Sequence, residues 1–214
     1  GKEAFDRAAS GKGSFTDPAF VKAGEKLIEL LKLDPFQPGF LSSGYNDEAS
    51  LMGNRKAAME LMGQWAPYVQ EANTPDKKGL GNDLGWMPFP MVEGGKGKIS
   101  DVMGGGNGLV LGKNAPAETV EFLKYIVSLK NNSLLAKQGR ICPVVKGAEK
   151  ALTTENSLAI AAAVAKADYY QLYYDQYLPV AVGETIKDSV QGIFAKKLSP
   201  KQAAEAIEKA MRDK

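Results

Sequence analysis

Acid–base or nucleophilic chemistry in this chain would have to rest on carboxylates, lysine, tyrosine or serine. Its 214 residues include no histidine and a single cysteine, Cys142. A His-based triad and a His-ligated metal site are thereby excluded, and one thiol makes neither an internal disulfide nor a CxxC site. Glycosidase chemistry needs two carboxylates flanking one bond. Glu60, Asp101 and Asp175 are the candidates, and no spacing singles out two of them. A lone acid near aromatic residues serves sugar-hydroxyl recognition as well as catalysis.

Trp65 is the sharpest single residue. It reads either as a core anchor or as a stacking platform, because an indole face matches the C–H face of a pyranose and its N–H can bond a hydroxyl. Its place after an apolar run, beside Gly63 and Gln64, favours the second reading. Trp86, among Met87 and Phe89, reads as core. Five tyrosines between Asp168 and Tyr177 suit either packing between helices or a polyol site. Gly104-Gly105-Gly106-Asn107-Gly108 resembles a phosphate loop only superficially, since it precedes a strand pattern and lacks a following Lys-Ser/Thr pair. It reads instead as a flexible crossing between two lobes, where backbone N–H groups can also approach a ligand.

The elements that would position these residues are marked by local signals. Thr16-Asp17-Pro18 opens a helix carrying Phe20, Ala23, Leu27, Leu30 and Leu31 on one face. Tyr45-Asn46 falls in a loop before a helix over 47–53. Residues 57–62 and 84–89 read as strands of one sheet, and 109–111 as a further strand. Trp65 stands at the C-terminal end of the first strand, where α/β sheets usually bind ligands. Asn114 and Pro116 open a helix, and further helices are expected over 132–138, 155–167, 181–196 and 200–212. The last begins with the capping-box spacing Ser199 to Gln202.

Composition sets the outer bounds. The chain has 27 basic and 25 acidic residues, a net charge of +2, which gives no electrostatic footprint for nucleic acid or an anionic membrane. No apolar run approaches the ~20 residues that cross a bilayer. Gly1-Lys2-Glu3-Ala4-Phe5-Asp6 carries neither an initiator Met nor a signal-peptide pattern, and reads as the start of a processed or excised piece. No cofactor is expected.

Taken in order, several segments resemble one known family. They are Lys56-Ala57-Ala58-Met59 with Gly63-Gln64-Trp65, then Trp86-Met87-Pro88-Phe89-Pro90, Gly104 to Leu109, Ala115 to Leu123, Tyr177 to Gly183 and Leu198 to Ala210. This ordered set resembles the extracellular solute-binding proteins of family 1, the sugar-binding components of ABC importers related to maltose-binding protein. The resemblance implies an α/β, periplasmic-binding-protein-like (type II) two-lobe fold, present here as an incomplete C-terminal portion. It implies a C-terminal lobe over 1–102, a segment of the N-terminal lobe over 103–170, and closing helices of the C-terminal lobe over 171–214. It also implies an extracytoplasmic protein without enzymatic activity. Its expected partners are a mono- or oligosaccharide, the membrane permease subunits of an importer, and the missing N-terminal half. Trp65 then falls where the family stacks a sugar, Tyr45 on a cleft-facing loop, and Asn107 and Asp175 near crossings between lobes. A carbohydrate-active enzyme using carboxylates is the competing class.

Overall fold

Some helix starts carry the caps that the sequence supplies, and others do not. The computed structural model describes residues 1–213. In chain order its helices and strands are α1 (Lys2–Ala9), α2 (Pro18–Leu31), α3 (Tyr45–Gly53), α4 (Ala66–Ala72), β1 (Asp101–Gly104) and α5 (Glu118–Ile126). Then follow α6 (Leu129–Lys137), α7 (Glu155–Ala165), β2 (Tyr169–Leu172), α8 (Tyr174–Tyr177), α9 (Val180–Phe194) and α10 (Pro200–Arg212). At α10 the Ser199 hydroxyl accepts from the Gln202 N–H at 3.2 Å, and the Ser199 N–H donates to Gln202 Oε1 at 2.9 Å. That is the reciprocal box the spacing called for. Pro18 opens α2 as expected, but the Asp17 carboxylate makes no cap. It accepts from Arg7 Nη2 at 3.1 Å instead.

The chain divides into two compact units, one of Gly1–Ser43, Pro90–Gly105 and the segment from Gln171 onward, the other of Gly44–Phe89 and Gly106–Tyr170. Residues 44–89 thus pack with 106–170, whereas the sequence division groups them with 1–43. The first unit has an aromatic core. Phe5, Ala8, Phe15, Leu178, Val182 and Met211 are buried together, with Phe20, Tyr174 and Ile186 against them. Phe5 stacks on Tyr174 at 4.3 Å, so this tyrosine of the 168–177 cluster is a packing residue, while Tyr177, tilted against Phe5 at 5.7 Å, stays exposed. Helix α9 approaches α8 so closely that a Cβ on Gly183 would lie 2.6 Å from the Asp175 Cα.

The second unit buries smaller groups. Ala49, Met52, Ala66, Ala136, Ala148 and Leu152 are its buried apolar residues, alongside the polar Gln70, Thr74 and Asn132. Helices α3 and α4 pack together, and α6 packs on the short turn Ala148–Ala151. Asn156 of α7 donates to the Leu84 carbonyl at 2.6 Å, which ties the 84–89 stretch to the unit.

The expected strands at 57–62, 84–89 and 109–111 do not form. Among the described residues, the sheet consists of β1 and β2 alone. A strand needs a partner for its N–H and C=O groups, and the chain around these segments is helical or irregular. Their apolar side chains are accordingly open: Met59 and Leu61 are 75% and 76% exposed, and Val110 is 92% exposed. Trp86 is also exposed rather than core, on the same irregular run as Met87 and Phe89. Helix α5 starts at Glu118 with Ala117 before it, not at the Asn114–Pro116 signal.

Candidate functional site

Tyr45 opens α3 instead of lying in a loop. Gly44 precedes it, and the Asp47 carboxylate accepts from the Gly44 N–H at 2.8 Å, fixing this helix start. Trp65 stands immediately before α4, whose Pro67 sits in the first turn. The packing of α3 on α4 brings the two aromatics together. Trp65 comes near enough to Tyr45 to act on the titration of its hydroxyl. The benzo ring of Trp65 lies over Gly63, where a Cβ would come within 2.2 Å of the ring. Only glycine leaves that space, so Gly63 sets the ring's position.

A carboxylate adjoins this pair. Gln70 of α4, which is 1% exposed, donates through Nε2 to Glu60 Oε1, while its own Oε1 is buried without a partner. Burial pushes the Glu60 carboxyl above its ordinary value. Gln70's hydrogen bond opposes that shift, and the nearby charge of Glu48 adds to it. Glu48, one helical turn after Tyr45, is pushed up by burial as well. Burial also raises the Tyr45 hydroxyl, with the Trp65 hydrogen bond opposing and the charges of Glu60 and Glu48 reinforcing. The arrangement offers an aromatic surface, a hydroxyl donor and carboxylate acceptors side by side. Those are the elements of a polyol-binding wall.

Of the four residues nominated from sequence, Trp65 and Tyr45 come together. Asn107 belongs to the same unit but is exposed on an irregular stretch. Asp175 belongs to the other unit, exposed on α8, with Lys187 Nζ at 3.8 Å. Of the three candidate carboxylates, Glu60 belongs to the second unit and Asp101 and Asp175 to the first, where Asp101 accepts from the Lys98 N–H at 2.9 Å. Gln70 and Glu48 were not nominated. The signal for Gln70 was its place four residues after Ala66, on the buried face of α4. Cys142 is half-buried and its thiol is pushed up by that burial, which keeps it protonated and a poor nucleophile. Among the described residues no group of acidic or cysteine side chains is arranged to hold a metal ion, and no helix is long and apolar enough to cross a membrane.

Two solved structures share this fold. One is a chitin oligosaccharide binding protein, 23% identical, with a TM-score of 0.80 over 99% of this chain and 53% of its own. The other comes from work on xylan utilization by the thermophilic bacterium Caldanaerobius polysaccharolyticus. It is 19% identical, with a TM-score of 0.76 over 97% of this chain and 54% of its own. The chain therefore spans about half the length of either structure. No curated protein matches it. The family model for bacterial extracellular solute-binding proteins matches residues 1–132, well over half of the sequence, and the chain belongs to that family.

Proposed function

We propose that this chain is the C-terminal part of an extracytoplasmic sugar-binding protein that delivers a mono- or oligosaccharide to the permease subunits of an ABC importer. The observation that carries the reading is the Tyr45–Trp65 pair beside Glu60, in a chain of this family. Sugars are strongly hydrated, so exchanging water for protein hydrogen bonds gains little by itself. Affinity then comes from covering apolar C–H faces with an aromatic plane while the buried hydroxyls find partners. Trp65 supplies the plane, Tyr45 a donor and Glu60 an acceptor. The names of the two structural neighbours, one a chitin oligosaccharide binder and one tied to xylan utilization, point to the same ligand class.

In this reading the N-terminal half of the protein completes the sheet that the extended segments 57–62, 84–89 and 109–111 leave unpaired. Lobe closure over the ligand would hinge at the glycine-rich crossing near Gly104–Gly108, with Asn107 and Asp175 contributing polar contacts. The protein captures its ligand and does not transform it. A second reading draws on Glu60, whose raised carboxyl has the property a glycosidase general acid needs. One experiment separates the two. Intact protein is titrated calorimetrically with a panel of xylo-, gluco- and N-acetylglucosamine-based saccharides, and each mixture is assayed for new reducing ends. Saturable binding with the sugar returned unchanged supports the binder, and release of reducing ends supports the enzyme. No heat from any saccharide would overturn both.

A further inference from the structure

Asn107 and Gly108 form the single Asn-Gly step among the nine asparagines of the chain. Residues 105–112 are neither helix nor strand, and every residue from Gly106 to Leu111 is exposed. Among the described residues, none from Gly106 to Leu111 takes part in a hydrogen bond. The Gly108 peptide N–H is therefore not tied into the fold, as most backbone donors are. A Cβ added at Gly106 or Gly108 would meet nothing within 4 Å, and neither glycine has a left-handed φ. Packing and dihedrals thus make no demand for glycine at 108. What the missing Cβ does there is leave the peptide nitrogen uncovered and the backbone free to turn.

Other asparagines are held. Asn54, Asn73, Asn131 and Asn156 donate their side-chain amides to backbone carbonyls at 2.6 to 2.8 Å. Asn114 is the instructive parallel, exposed and on a turn a few residues downstream. Its next residue, Ala115, carries a Cβ and donates its N–H to the Gly112 carbonyl at 3.0 Å. We infer that Asn107–Gly108 is a self-modification site, where the chain converts its own asparagine to an aspartyl or isoaspartyl linkage. The Gly108 peptide nitrogen forms a bond to Asn107 Cγ. The Cγ–Nδ2 bond breaks, and Nδ2 leaves as ammonia with the proton that the peptide nitrogen gave up. Water opens the resulting cyclic imide at either carbonyl, which restores one amide and leaves one carboxylate. Opening at one carbonyl returns the main chain to its path, and opening at the other routes it through Cβ and Cγ. Water is the only co-reactant. A neutral amide, donor and acceptor at once, becomes a charged acceptor just past the point where the chain passes from one unit to the other. Resting on the sugar-binding reading, in which Asn107 offers a polar contact beside the hinge, the converted protein no longer captures its ligand.

The test holds intact protein in mildly alkaline buffer and follows it by peptide mass mapping with an isoaspartyl-specific label. Cleavage after Lys98, Lys113 and Lys124 puts Asn107 and Asn114 on separate peptides. The Asn107 peptide should gain the amide-to-acid mass and the isoaspartyl signal while the Asn114 peptide keeps its mass. Gly108→Ala, which the open space accommodates, should slow conversion to the pace of Asn114. Asn107→Gln should abolish it, because the longer side chain must close a larger ring. Circular dichroism reports whether both variants are folded. An Asn107 that stays intact, or converts no faster than Asn114, would overturn the site. Calorimetric titration of the aged protein with a saccharide that fresh protein binds should show a loss of binding sites equal to the converted fraction. Full capacity in converted protein would overturn the effect on capture. No binding by fresh protein to any saccharide would overturn the sugar reading and that effect together, while the modification, read by mass alone, would stand.

Discussion

The two units of this chain bury different things. The first closes over Phe5, Phe15, Leu178, Val182 and Met211, and its Glu208 finds two donors, accepting from the Phe15 N–H at 2.8 Å and from Arg212 Nε at 2.8 Å. The second buries alanines, one methionine, one leucine and three polar side chains, and it leaves the Gln70 oxygen unanswered beside a half-buried Glu60. Aromatic rings that would make a core are spent elsewhere in that unit, with Tyr45 and Trp86 exposed and Trp65 half-buried over Gly63. Binding sites are commonly drawn from the weaker part of a fold, because groups poised for a ligand are not satisfied by the protein itself. In this chain one unit is stabilised by its own packing, and the other keeps surface for a partner.

The largest expected effect tests the first half of that contrast. Phe5→Ala removes the ring that stacks on Tyr174 and meets Phe15 at 6.4 Å. It should destabilise the first unit by about 3–5 kcal/mol. Hydrogen exchange resolved by segment should show the loss over α1, α9 and α10 and much less over α3 and α4. A uniform loss over both units would mean that they unfold as one, and the comparison would fail.

A smaller effect separates the units by pH. Burial raises the Glu208 carboxyl, but hydrogen bonds from Arg212, the Phe15 N–H and Ser14 outweigh it, and the net shift is below the ordinary 4.5. Its contribution is full above 4.5 and is lost as pH falls through the lowered value. Glu48 and Glu60 are raised, so the folded second unit holds their protons more tightly than the unfolded chain does. Their contribution is full below 4.5 and is lost as pH rises through the raised values. Acidification from neutrality toward 4.5 should therefore slow exchange in α3 and α4, after correction for intrinsic rates. Further acidification should speed exchange in α1 and α10. The same direction in both units would contradict the electrostatic assignment.

How much of this was legible in the sequence follows from how local each signal is. Pro18 and the Ser199–Gln202 box fix helix starts within a few residues, and α2 and α10 begin there. Trp65 and Tyr45 could be nominated because indole and phenol chemistry is written in the residue types. The strands at 57–62, 84–89 and 109–111 could not be judged locally. A short apolar run specifies a willing strand, while its neighbour is a property of the rest of the fold. Asp17 carried the right residue type for a cap, but Arg7, ten positions away, claimed its carboxylate. Gln70 was hidden for the opposite reason: a glutamine in a short helix reads as solvated until packing shows that its face is the buried one.

The most direct test of the account is the affinity of Trp65→Ala for the saccharide that intact protein binds. The indole is assigned the apolar face of the sugar, the role typical of an aromatic hot spot, so titration calorimetry should show a loss of about 2–4 kcal/mol. Circular dichroism and the thermal midpoint without sugar should stay close to those of the parent. Unchanged affinity in a folded variant would contradict the site assignment. A large fall in the sugar-free thermal midpoint would also contradict it, by making Trp65 a packing residue.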